Sequence, residues 1–279
     1  ASSDLFPRSY PGPSGRDMMS PADPGGAAVA LYNTEAIVIR VRDFDEADKV
    51  TTLLTREDGK VQAVAKGARR PRNRFASAMQ LFTRVQAQLY RGRNMDTLSQ
   101  VEIAESFRHL REDLVRMAYA TYVCEVMDAL MPDRQRYESP FLLLLTTLHL
   151  FNEPEMAPEP ILRSYELKLL SMLGFRPSLE ACVSCGTKAI ANGGQIRFSP
   201  ALGGVLCPTC AAEGEAVLRI SRGALESMKH LLDGDIRRAH VVRLGGDMAE
   251  EIDRALTAYI LDRTEKRLKS KEFLDTVRR

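Results

Sequence analysis

Two short cysteine pairs constrain this chain more than any other feature. Cys182-Val183-Ser184-Cys185 and Cys207-Pro208-Thr209-Cys210 are separated by 21 residues. A two-residue gap lets both thiolates of a pair reach one ion, and two such knuckles supply the four soft ligands that tetrahedral Zn²⁺ prefers. The spacing is close to the zinc-ribbon pattern, and Gly186 after the second cysteine gives its turn the backbone freedom it needs. Between the pairs, residues 195–198 and 204–206 read as two short strands around a turn at 200–203. One zinc ion held by Cys182, Cys185, Cys207 and Cys210 is therefore expected. Four thiolates leave no open coordination position, so the ion is structural and not a catalytic Lewis acid. Disulfides and a redox pair are the alternatives. Structural disulfides are rare in a cytoplasmic protein, and a redox motif usually opens a helix after a strand in a βαβ unit, a context missing here. The fifth cysteine, Cys124, lies on an apolar helical face and reads as a small buried residue.

Charge is distributed unevenly. The net charge is only +2, yet residues 59–95 contain no Asp or Glu and carry +9, which leaves −7 on the remainder. An acid-free basic stretch is the electrostatic footprint of a polyanion site. Its members are Lys60, Lys66, Arg69, Arg70, Arg72, Arg74, Arg84, Arg91 and Arg93. Pro71 and Gly67 favour an exposed loop around Arg69, Arg70, Arg72 and Arg74. We assign DNA contact to Lys60, Lys66, Arg69, Arg70, Arg72, Arg74, Arg91 and Arg93. Phe75 and Tyr90 are candidates for base stacking, although a barrel core suits Phe75, Phe82 and Tyr90 better taken singly. The acidic run Asp43, Asp45, Glu46 and Asp48 reads as a solvated turn, without the glycine spacing of a calcium loop.

The period of the apolar pattern divides the chain. Residues 1–31 begin with a Pro-, Gly- and Ser-rich stretch that cannot bury enough apolar surface to order itself, so a disordered leader is expected. Residues 32–104 alternate with period two in five short runs, at 36–42, 50–55, 61–65, 83–90 and 98–103, which fits a small closed barrel such as the OB-fold. Helical spacing takes over at Phe107, Leu110, Leu114, Met117, Thr121 and Cys124, in a segment ended by Pro132. Further helices are expected at 140–150, 161–173, 223–232 and 248–268, with Ser221 capping the one at 223–232. The fold class expected is α+β: an OB-fold barrel at 32–104, a helical domain at 105–181 and 211–279, and a four-cysteine zinc ribbon inserted at 182–210.

Catalytic patterns are missing. The sequence has no P-loop, no G-x-S-x-G and no H-E-x-x-H run, and its four His are scattered. No apolar run approaches the ~18 residues of a membrane span, and no signal peptide pattern opens the chain, so a cytoplasmic protein without enzymatic activity is expected.

The pattern resembles the RecO family. The resemblance rests on Thr34-Glu35-Ala36-Ile37-Val38-Ile39, Asp48-Lys49-Val50 and Lys66-Gly67-Ala68-Arg69. Its most specific part is Phe198-Ser199-Pro200-Ala201-Leu202-Gly203-Gly204-Val205-Leu206-Cys207-Pro208-Thr209-Cys210, downstream of Cys182-Val183-Ser184-Cys185-Gly186. It implies binding of single- and double-stranded DNA, annealing of complementary strands, and remodelling of single-strand-binding protein together with RecR so that RecA can load. RecF and RecA are the further partners it implies. A groove in the helical domain, rimmed by Arg108, Arg111, Arg134, Arg136 and Lys168, is a candidate for the acidic, apolar-ended tail of single-strand-binding protein. An RNA-binding OB-fold and ribbon protein of transcription or translation is the alternative from another class, and a metal- or thiol-dependent enzyme is the third.

Overall fold

Strand β1 (Leu31–Phe44) is long enough to serve two layers. Alternation sends Ala36 and Val38 into a barrel interior and Ile37 and Ile39 into a second core shared with helices. In this computed structural model, which describes residues 30–70, 73–188, 195–212 and 217–278, β1 pairs with both β2 (Asp48–Thr55) and β4 (Arg84–Tyr90). With β3 (Gly59–Ala65) and β5 (Asp96–Glu105) the strands close in the order β1-β2-β3-β5-β4. Every pairing is antiparallel except β3 with β5. That topology is OB-like, as the five period-two runs predict. The short helix α1 (Arg74–Ala78) lies between β3 and β4, and Phe75, Ala78 and Met79 join the barrel core. The expected leader falls almost wholly outside the described residues, as do Pro71 and Arg72.

Helices follow. The single segment expected from Phe107 is two helices, α2 (Arg108–Glu112) and α3 (Leu114–Leu130). Asp113 breaks them: its extended backbone ends the first, and its carboxylate caps the second by accepting from Arg116 N at 3.0 Å. Helices α4 (Glu138–Asn152) and α5 (Pro158–Met172) pack against α3, and α5 also meets α6 (Arg222–Asp233), capped by Ser221. The helix expected at 248–268 is interrupted. Helix α7 (Gly246–Thr264) stops at Glu265 in left-handed backbone, and α8 (Lys269–Val277) starts anew along α3. Residue Leu268 offers no capping side chain, so Glu125 of α3 supplies the acceptor, at 2.7 Å from Ser270 N.

A three-stranded sheet, β7-β6-β8, built from β6 (Gln195–Ser199), β7 (Gly204–Leu206) and β8 (Leu218–Ser221), lies on this helical layer. Ile196, Phe198, Val205 and Ile220 enter the helical core directly. The fold is therefore α+β, a barrel followed by helices, with the cysteine-bearing sheet seated on them.

Candidate metal centre and nucleic-acid interface

The two knuckles repeat one local geometry. Gly186 N donates to Cys182 O at 2.8 Å, and Ala211 N donates to Cys207 O at 3.0 Å, so each pair is wound by the same turn. Gly186 sits at φ +75°, where a Cβ would be strained. The first knuckle is fixed to the sheet by Val183 N donating to Val205 O at 2.9 Å. Close approach needs Gly204, whose added Cβ would meet Ser178 at 2.8 Å.

Together these turns bring the four Sγ atoms within 4.8 Å of one another. The Cys185 and Cys207 sulfurs stand 3.7 Å apart. A tetrahedron with Zn–S bonds of about 2.3 Å has edges of about 3.8 Å, so the donor set fits such an ion. The electrostatics agree. Burial opposes ionisation of the Cys182 thiol, yet N–H groups of Cys207, Cys185 and Ser184 bring it down to about 6. The Cys210 N–H holds Cys207 below the usual thiol range, while sharing a proton with Cys207 pushes Cys210 up to about 12. A dication would supply the charge that lets all four ionise. Cys124 lies apart, buried in the helical core.

The basic residues do not form one surface. Lys66, Arg69 and Arg70 are exposed on the loop after β3. That loop is built rather than slack: Gly67 N donates to Asp48 Oδ1 at 2.7 Å, Arg69 N to Ala47 O at 2.9 Å, and Asn73 Nδ2 to Lys66 O at 3.3 Å. The acidic turn after β1 is thus a brace, with Asp43 also 3.8 Å from Arg69. This function of the acidic run left no signal in its spacing. Arg72 lies outside the described residues, and of Arg74 only the helical backbone is described. Arg91 pairs with Asp58 of the β2–β3 turn at 2.8 Å and lies over the Tyr32 ring. The β2–β3 turn and the Lys66 loop are at opposite ends of β3, about 20 Å apart for a strand of this length. Arg93 is exposed on the β4–β5 turn.

Lys60 is committed elsewhere. Its side chain is buried, donates to Asp128 O at 2.6 Å, and lies 3.4 Å from Asp128 Oδ1 and 3.3 Å from Asp133. Phe75 and Phe82 are buried as barrel and interface core, while Tyr90 is 40% exposed. The five cations considered for a helical-domain rim are engaged as well. Arg108 pairs with Glu112, Arg134 with Asp96 and Arg136 with Asp58, while Arg111 donates to Thr83 and Lys168 to Leu232 O.

Comparison with known proteins places this architecture. The family model described as recombination protein O N terminal matches residues 29–107, and that described as recombination protein O C terminal matches residues 111–272. A protein of Symbiobacterium thermophilum named DNA repair protein RecO is 72% identical over 90% of this chain and 99% of its own length. Proteins of the same name from Pelotomaculum thermopropionicum and a Thermoanaerobacter species are 40% and 33% identical, each over 88% of this chain, and over 94% and 98% of their own lengths. The chain belongs to the RecO family of DNA repair proteins.

Proposed function

We propose that this chain is a non-enzymatic mediator that binds single- and double-stranded DNA, anneals complementary strands and, with RecR, helps load RecA on DNA coated with single-strand-binding protein. RecF is a further partner in this reading, and the nucleoid in the cytoplasm is its place of action. The carrying observation is the braced loop of Lys66, Arg69 and Arg70, exposed on an OB-like barrel in a chain of this family. Such barrels meet single strands through charge on a groove and stacking on exposed rings. One structural zinc ion, held by the four cysteines, completes the reading. For the tail of single-strand-binding protein we propose the cleft of about 210 Å³ between α3, α7 and α8. Ile260, Leu261 and Leu268 line it, beside Lys266 and Arg267.

The test mixes the protein with complementary DNA strands coated with single-strand-binding protein. Accelerated annealing is expected, without nucleotide hydrolysis. Annealing at the uncatalysed rate refutes the mediator reading, and equal acceleration with RNA strands alone favours an RNA role.

A further inference from the structure

The cysteine-bearing sheet has two unlike faces. Ile196, Phe198 and Ile220 point into the helical core. Alternation puts Arg197 and Arg219 on the other face, and the β6–β8 register sets them directly opposite one another. Leu206 of β7, which pairs with Arg197, shares that outer face and packs against Cys182 and Cys207. The two arginines therefore sit beside the metal centre.

Directly opposed residues stand about 5 Å apart at Cβ, and like charges there destabilise a sheet. Nothing among the described residues offsets this. Neither guanidinium has an ion-pair or hydrogen-bond partner there, in contrast with Arg111, Arg116, Arg163 and Arg263. Glu251, the carboxylate that reaches β8, accepts from Ser221 N at 2.8 Å and pairs with neither. Arg219 is exposed and Arg197 partly so. Two adjacent guanidinium forks, each with five N–H donors, match the oxygens of a phosphodiester.

We propose that Arg197 and Arg219 form a second phosphate-contact site, on the outer face of the metal-bearing sheet and separate from the barrel loop. The proposal rests on the reading of this chain as a DNA-binding mediator. It also deepens that reading, because a protein that anneals must engage two strands, and polyanion contacts on two different sheets let it do so.

The experiment compares the full-length, zinc-loaded protein with Arg197→Ala/Arg219→Ala by titrating fluorescent single-stranded DNA across a salt series. Loss of two contacts should lower the log–log salt slope by about 1.4, at about 0.7 per phosphate. Affinity at low salt should fall about tenfold. Zinc content should be unchanged, and the melting temperature should not fall, since a like-charge contact has been removed. Arg197→Lys/Arg219→Lys should keep the slope. An unchanged slope in the alanine variant overturns the proposal. Failure of the parent protein to bind DNA sinks the underlying reading instead. A parent that binds, with a slope insensitive to Lys66 and Arg70 but sensitive to Arg197 and Arg219, leaves the second site standing without the first.

Discussion

Lys66 and Arg70 hold their loop through backbone groups and point their charges outward. Lys66 O accepts from Asn73, and Arg70 N donates to Gly67 O at 3.0 Å. Substituting either side chain leaves those bonds intact. Lys66→Glu/Arg70→Glu should therefore change stability by about 0.5 kcal/mol or less, as exposed positions do. The same double reversal places two repulsive charges where two attractive ones stood, so affinity for single- and double-stranded DNA should fall more than for the alanine pair. Binding assays beside a thermal melt check this, and parental affinity in the reversed protein would show that the loop is only a solvated basic face. Gly67 contrasts with its neighbours. Its φ is +67°, and an added Cβ would meet Asn73 Nδ2 at 2.8 Å. At this scale the sequence shows which residues are basic but not which are free. Lys60 reads like Lys66 in the acid-free stretch, and only the third dimension brings Asp128 to it.

At the scale of elements, the knuckles were legible because their chemistry is local: two residues between thiols and a glycine after them. The barrel was legible for a similar reason, since period-two alternation survives in each strand. Breaks set by distant residues were not. Helix α8 begins where Glu125, far away in sequence, caps it. The fully buried Arg163 was equally hidden, because its three carboxylate partners, Glu159, Glu166 and Asp253, come from two helices, α5 and α7. The metal prediction follows from how the sheet is anchored. Phe198, Val205 and Ile220 are held by the helical core, whereas among the described residues the knuckles pack in a small cluster around Leu206. Cys207→Ser should abolish stoichiometric zinc and loosen the knuckles while most helical signal remains. Elemental analysis and a thermal melt decide it; zinc-free parent protein of unchanged stability would remove the structural role.

The buried network makes a second prediction at this scale. Burial pushes the Glu159 and Asp253 carboxyls up, but Arg163, with Arg278 and Lys271, outweighs it and holds both below the usual carboxylate range. Burial wins at Glu166 and raises it. A depressed carboxyl stabilises the fold above its unfolded pKa of about 4, and that contribution is lost as pH falls through the lower folded value. Glu166 acts oppositely: its contribution is present below about 4 and is lost as pH rises through its raised folded value. Below about pH 4 the Glu166 contribution is already complete and only the two depressed carboxyls still change, so stability should fall on acidification there. Arg163→Met should cost about 3–5 kcal/mol, because it strands the fully buried Glu166 and leaves Glu159 and Asp253 with only Arg278 and Lys271. It should also flatten or reverse the acid dependence. Denaturant titrations at pH 7, at about pH 4 and at about pH 2.5 check the cost of the substitution and the sign of the acid dependence.

Across the whole molecule, one set of ion pairs joins the barrel to the helices. Asp128 near the end of α3 receives Lys60 of β3 and Arg40 of β1, while Arg56 pairs with Glu138 of α4 at 2.6 Å. The α3–α4 connection also bridges the barrel, since Arg134 N donates to Lys60 O at 2.9 Å and Arg134 pairs with the buried Asp96. Gly59 allows this approach, as a Cβ there would fall 2.0 Å from Gln135 O. Barrel and helical layer should therefore unfold together. Asp128→Ala leaves the Lys60 ammonium with Asp133 and a carbonyl, and should cost about 2 kcal/mol, short of the ~3–5 kcal/mol for a fully buried pair. Adding Lys60→Met removes the stranded charge and keeps the aliphatic stem, so the double variant should recover most of that loss. Neither change should alter the salt slope of DNA binding, because this ammonium faces α3 and not solvent. A lowered slope with intact stability in Lys60→Met would return Lys60 to the DNA interface and break the assignment of this residue to the joint between the two layers.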